Sequence, residues 1–259
     1  MSDNRYTFGD NTRASARLRR LAEVYEPETR ALLERCPVHA PALAVDLGAG
    51  PGWSTRLVQS VLSPVRTVGL EASERYAEEA RHNAPGAEFI VCDVTRSPLP
   101  VERPEVFFCR FLLTHLQDLH HVLGAWAAAA APGARLLVHE TERLEADHPT
   151  LRRYYELVGQ LQRHYGQSLH VGESLGAAFN GTGWVIEERV HPLVEKPAAV
   201  MAELHLANLH TWRDDAFARA AFDAGELEHL DASLERIARG DEEAGIVRNT
   251  ACQIQARHA

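Results

Sequence analysis

Two hydrophobic periods alternate along this chain, and the elements they predict divide it into stretches of different kinds. The first 37 residues read as helix: Leu18, Leu21, Ala22, Tyr25, Thr29, Leu32 and Leu33 recur near the 3.6-residue period. A break is expected around Glu26–Pro27, where proline supplies no N–H to the ladder. Short apolar runs bounded by Gly, Pro or charge then follow at 42–47, 66–71, 87–92, 104–109 and 135–141 and predict strands. Between them, Trp53, Leu57, Val58, Val61 and Leu62 make one helical face. Leu119, Val122, Leu123, Trp126 and Ala130 make another, which Pro132–Gly133 stops. Strict alternation of strand and helix predicts βαβ units, a parallel sheet and right-handed crossovers.

After Glu142 the rhythm changes. Residues 149–165 predict one helix, 173–180 a short second one, 184–191 a strand, 197 to about 239 a further helical stretch, and 245–256 a last strand. No internal repeat or low-complexity linker interrupts the chain, so residues 1–259 are expected to form a single domain. Within it, 1–37 would be an N-terminal helical cap and 38–148 a ligand-binding core. Residues 149–181 and 197–240 would be helical lid or pocket additions, and 182–196 and 241–259 the final strands.

Composition narrows the class. With 259 residues, 45% hydrophobic and 24% charged, the chain suits a soluble globular protein. No stretch approaches the roughly 20 apolar residues of a membrane span, and MSDNRYTFGDNTRAS lacks the apolar region of a secretory signal, so a cytoplasmic protein without membrane partners is expected. The net charge of −9 argues against general nucleic-acid binding, which needs clustered Lys and Arg. Cys36, Cys92, Cys109 and Cys252 form no CxxC pair, no HExxH occurs, and His120–His121 point different ways around a helix. No metal is expected.

The chemistry concentrates at VDLGAGPGW, residues 45–53, between a predicted strand and an amphipathic helix. Gly48, Gly50 and Gly52 allow positive φ and close approach of backbone to a ligand, and the helix start offers unpaired N–H groups. A dinucleotide loop needs G-x-G-x-x-G, but here the third glycine comes one residue early and Trp53 takes its place, which disfavours a nicotinamide-dependent reductase. Asp46 would repel a pyrophosphate yet suits a ligand carrying an ammonium group.

These motifs, with Glu71 ending the second strand, Asp93 just after the third and FFCRFLLTHL at the fourth, resemble the class I (Rossmann-like) S-adenosylmethionine-dependent methyltransferases over residues 42–142. The resemblance implies an α/β fold: a seven-stranded, mostly parallel sheet of order 3-2-1-4-5-7-6, last strand antiparallel, with helices on both faces. It implies S-adenosyl-L-methionine as cofactor and S-adenosyl-L-homocysteine as product. Asp46, Gly48, Ala49, Gly50, Gly52 and Trp53 would hold the methionine part, Glu71 and Ala72 the ribose, and Asp93 and Val94 the adenine. Arg110 and Phe111 would meet the cofactor after strand four, and Tyr6 and Phe8 would close over the cofactor and acceptor. Physical chemistry agrees: a carboxylate at a strand's C-terminal end lies in the crevice where open α/β sheets bind ligands, and it can accept two hydrogen bonds from a vicinal diol.

Methyl transfer is an in-line displacement that needs alignment and, for an acidic acceptor, a base. RFLLTHLQD is not of the NPPY type used for amino groups of bases and glutamine. His115 could deprotonate a hydroxyl, or equally be a helix-start histidine bonded to backbone. His139 and Glu140 are second candidates, and strand alternation allows only one of them to face the cleft. Tyr154 and Tyr155 on the 149–165 helix, and His205, Asn208 and Trp212 at i, i+3 and i+7, are candidate acceptor-pocket residues. The N-terminal segment and RFLLTHL are also similar to bacterial ubiquinone/menaquinone-type and natural-product methyltransferases. The expected partner is a small-molecule acceptor methylated on O, N or C, with the chain a monomer or homodimer. The alternative is an S-adenosylmethionine-binding protein without methyl transfer: a cyclase, decarboxylase or regulator.

Overall fold

The computed structural model describes residues 12–259. Helix α1 (Thr12–Glu34) runs without a break through Pro27. The expected interruption fails because packing outweighs one lost backbone bond: Leu32 and Leu33 are fully buried against α2 and the sheet, and Thr29 Oγ1 donates to the Tyr25 carbonyl across the proline turn. There follow β1 (Leu43–Leu47), α2 (Trp53–Leu62), β2 (Arg66–Glu71), α3 (Glu74–Asn83), β3 (Glu88–Val91), β4 (Val106–Arg110), α4 (Leu119–Ala129) and β5 (Arg135–Ala146). The second half comprises α5 (Pro149–His164), α6 (Gly172–Ala178), β6 (Trp184–Val190), β7 (Leu193–Pro197), α7 (Ala198–Trp212), α8 (Ala216–Ala221), α9 (Ala224–Arg239) and β8 (Ile246–His258).

All eight strands join one sheet of order β3-β2-β1-β4-β5-β8-β6, with β7 also pairing β8. Strands β1 to β5 are parallel, and β8 is antiparallel to β5, β6 and β7. This is the anticipated Rossmann-like order, with one strand more: β7 was not foreseen, and β5 runs five residues beyond the predicted 141. The predicted helix over 197–239 is three helices, parted where Asp215 and Asp223 cap α8 and α9 by accepting from backbone N–H groups.

Strand alternation sends two sets of side chains to opposite faces. Ala44, Phe108 and Leu137 pack on α1 and α2, while Val45, Phe107 and Val138 pack with α4 and α6. A third core, built from α5, α7 and α9 with Tyr25 of α1, lies over the strand ends. No helix among the described residues is long and apolar enough to cross a membrane.

Candidate functional site

A cavity of about 300 Å³ opens between the C-terminal ends of β1 to β5 and the helices α1, α5 and α7. Its floor is the turn after β1. Gly48 sits at φ 66°, and a Cβ there would come within 2.7 Å of Leu112 Cδ1, so only glycine fits. Asp46 is 1% exposed and does not line the cavity. Its carboxylate accepts from Ser54 Oγ at 2.7 Å and Thr55 Oγ1 at 2.6 Å, and burial pushes its pKa up to about 6 against those bonds. The direct hold on a ligand expected of Asp46 is therefore replaced by a hold on the first turn of α2.

Glu71 ends β2 with one oxygen accepting the Gly50 N–H at 2.8 Å and the other the Ser73 N–H at 2.9 Å. Glu71 lines the cavity wall. Asp93 Oδ1 accepts from the Thr95 N–H and hydroxyl, and the Val94 carbonyl is held by Trp126 Nε1 at 2.9 Å. Gly50, Ala49, Ala72, Asp93 and Val94 all line the same end. Trp53 lines it too, with the Arg19 guanidinium 5.5 Å from its ring centroid.

Arg110 is the last residue of β4, and Phe111 after it takes φ 51°, a left-handed turn that is uncommon for a side-chain-bearing residue. The Phe111 N–H donates to the His139 carbonyl at 3.0 Å, and its ring meets Tyr25 edge-on at 5.0 Å. Arg110 donates to Thr29 Oγ1 at 3.1 Å, and burial lowers its pKa to about 10 although Asp46 and Glu26 pull it back.

Of the two neighbours on β5, the cavity takes Glu140 and not His139. His139 shares a face with Leu137, beneath α1, where its Nδ1 meets Thr29 Oγ1 at 3.1 Å and its Nε2 has no partner among the described residues. Burial lowers its pKa to about 3, so His139 is withdrawn as a catalytic candidate: strand alternation turns it away from the cleft. Glu140 is fully buried, with Oε1 accepting the Leu112 and Leu113 N–H groups at 2.8 and 2.7 Å and Oε2 unpartnered among the described residues. Burial pushes it up to about 8, so it carries its proton at neutral pH. His115, in a single 3₁₀ turn after β4, does line the cavity, 3.5 Å from Gln167 Oε1, and burial lowers its pKa to about 4.

At the far end Tyr154, Tyr155, His205 and Asn208, the candidate acceptor-pocket residues, line the same cavity. The Tyr155 hydroxyl lies 2.8 Å from His205 Nε2, and the Tyr154 ring stacks on His205 at 4.4 Å. Trp212 does not reach the cavity. Seven residues along a helix is a rise of roughly 10 Å, which carries it past the cavity end to lie fully buried against Phe222. Tyr6 and Phe8 lie outside the described residues.

Sequence reasoning expected an N-terminal helical cap but named none of the α1 residues on the cavity wall, Arg17, Leu18, Leu21 and Tyr25, and it missed Gln162 and Asn249. The period of α1 revealed its apolar face but not that the face is shared between core and cleft. Apart from the cavity, Glu142, His191 and Cys252 bring ligand-type atoms within 4.8 Å of one another among the described residues. Arg189 already supplies a positive charge there, 3.4 Å from Glu142, and burial raises the Cys252 thiol to about 11, away from the thiolate a metal needs.

Residues 45–138 match the family described as "Methyltransferase domain". A trans-aconitate 2-methyltransferase of Paracidovorax citrulli is 33% identical over 123 residues, 47% of this chain and 47% of that protein. The match therefore spans about half the length of that relative. Among solved structures, the geranyl diphosphate C-methyltransferase of Streptomyces coelicolor A3(2), in complex with S-adenosyl-L-homocysteine, is similar with a TM-score of 0.55. It is 15% identical, over 98% of this chain and 88% of that one. The [4+2]-cyclase SpnF is similar with a TM-score of 0.57 at 16% identity, over 91% of this chain and 82% of that one. At these identities both are likenesses of fold.

Proposed function

We propose that this chain, which carries a methyltransferase domain of the class I S-adenosylmethionine-dependent type, transfers a methyl group from S-adenosyl-L-methionine to a small organic acceptor. One observation carries the reading: a single cavity joins the glycine turn, Glu71 and Asp93 to the aromatic end at Tyr154 and His205, so donor and acceptor can share one enclosure. The residues fit the cofactor's parts. The turn at Gly48 to Gly50 admits close approach by its aminoacyl end, the Glu71 carboxylate at the end of β2 suits a ribose diol, and Asp93 beside Val94 suits an adenine amino group.

When bound, the cofactor would supply an electrophilic methyl on a positively charged sulfur. The chain's own contribution is alignment and exclusion of water: α1, α5 and α7 cover the cleft, and the strained turn at Phe111 aims the post-β4 segment at it. His115, with a pKa of about 4, is a weak base, whereas Glu140, poised near 8, can take a proton when ionised. The family match ends at Val138, before Glu140 and every α5 and α7 residue, so the acceptor is not inherited from it. A setting in bacterial secondary metabolism rests on the similarity of RFLLTHL and the N-terminal segment to natural-product enzymes.

The test is incubation with S-adenosylmethionine and an acceptor panel that includes trans-aconitate. S-adenosylhomocysteine should form in equal amount with a methylated product; product formed without it would sink methyl transfer. That outcome would favour a second reading, a cyclase-like use of the same fold. The observation behind it is that neither His115 nor Glu140 presents a strong ionised base at pH 7.

A further inference from the structure

The end of the cavity remote from the glycine turn holds polar atoms that the chain itself leaves unused. The Tyr154 hydroxyl, Gln162 Oε1, His205 Nδ1 and Asn208 Oδ1 are buried and make no hydrogen bond within the described structure. Tyr154, Gln162 and His205 are only 2%, 1% and 7% exposed, and all four residues line the cavity. Asn208 and Trp212 lie near enough to Tyr154 to favour its phenolate, yet the Tyr154 hydroxyl, Asn208 Oδ1 and Trp212 Nε1 all stay unpaired. Buried polar atoms are nearly always paired, so several orphans on one wall point to a ligand that pairs them.

The character of that wall limits the ligand. Val158, Leu169, Met201 and Leu204 make it apolar between the polar atoms. The stacked Tyr154 and His205 rings make it flat, and burial lowers the His205 pKa to about 3, so the imidazole is neutral. The arginines among the described lining residues are Arg17 and Arg110, and Arg110 already faces Asp46 and Glu26 and bonds Thr29. A molecule with three carboxylates would bring more buried negative charge than this wall can match.

We propose that the methyl acceptor is an uncharged, ring-bearing molecule whose hydroxyl or carbonyl groups hydrogen-bond Tyr154, Gln162, His205 and Asn208. This rests on the methyltransferase reading above, and it departs from the tricarboxylate named for the sequence relative. The rings stack on the aromatic floor, the apolar side chains cover the rest, and neutral amide, phenol and imidazole groups select among donors and acceptors without requiring charge.

The test is calorimetry on the full chain in three titrations. S-adenosylhomocysteine is titrated first, then 1,5-dihydroxynaphthalene and trans-aconitate separately into the saturated chain. The dihydroxynaphthalene should saturate, and the Tyr154→Phe/Asn208→Leu double variant should weaken it by about tenfold or more, the scale of one lost hydrogen bond, with the S-adenosylhomocysteine isotherm unchanged. Trans-aconitate should give no saturable heat. The proposal is overturned if trans-aconitate saturates and the naphthalene diol does not, if neither binds, or if the double variant binds the diol as the parent does. Failure of S-adenosylhomocysteine to bind overturns the methyltransferase reading separately, and the diol and trans-aconitate, titrated into the bare chain, still judge the pocket.

Discussion

The two ends of the cavity are built on opposite principles. At the glycine-turn end the carboxylates of Asp46, Glu71 and Asp93 all have hydrogen-bond partners within the chain, so the shape of the site exists before any ligand arrives. At the α5/α7 end, polar atoms of Tyr154, Gln162, His205 and Asn208 wait unpaired on a packed apolar wall. The first arrangement preorganises recognition of one fixed molecule. The second leaves discrimination to whatever completes the pairing, which is how a common sheet can serve different acceptors.

The sharpest way to break this contrast is Glu71→Ala, which removes the acceptor that pins the Gly50 and Ser73 N–H groups as well as the proposed diol contact. Affinity for S-adenosylhomocysteine should fall by about 100-fold, as expected for losing hydrogen bonds to a charged group. Calorimetry that finds affinity within twofold of the parent would show that the turn is not held as described.

Glu140 belongs to neither set, since one oxygen is doubly bonded to backbone N–H and the other is orphaned. Its folded pKa of about 8 lies above the ordinary 4.5, so the stability it contributes as a neutral acid is complete below pH 4.5 and is lost as pH rises through 8. Glu140→Gln keeps the bonds to Leu112 and Leu113 without the titration. Its advantage in unfolding free energy should grow between pH 5 and pH 8.5 by a few kcal/mol, at about 1.4 kcal/mol per pKa unit, read by denaturant unfolding at each pH. A gap that stays constant with pH would mean that the carboxyl titrates normally.

The smallest effect is expected behind the sheet. His139→Leu loses the Thr29 contact, about 1 kcal/mol, and should leave S-adenosylhomocysteine affinity within about twofold. A large loss of affinity would move His139 back to the site.

The same contrast marks what could be read in advance. The strands β1, β2 and β4 and the loop after β1 announce themselves by apolar runs and glycine spacing, because each buried strand needs a continuous apolar stretch and a left-handed turn so close to Leu112 admits only glycine. Helix α3 was missed because its buried face is only Tyr76, Ala77 and Ala80, and β7 because its exposed Leu193, Glu195 and Pro197 dilute the pattern. Alternation predicted that His139 and Glu140 would part ways without saying which would face the cleft, since that depends on the sheet's twist and the helix above it. Which residues of the expected N-terminal cap face the cleft was illegible for a related reason: Leu18 and Leu21 look like core whether they meet a neighbour or an open cavity.

Strand β8 adds a consequence in time. Its 13 residues lie inside the sheet, between β5 and the β6/β7 edge, yet they follow the end of β5 by roughly a hundred residues. A chain emerging from the ribosome at ~5–20 residues per second would carry β1 to β5 for several seconds with one flank of β5 unpaired. During that interval the half-made sheet presents an open hydrogen-bonding edge, the kind of surface that recruits other chains. Insertion of β8 is then a late closing step, made through non-local contacts that form slowly. Substitutions weakening β8 should therefore reduce the yield of folded protein before they alter what the folded protein binds.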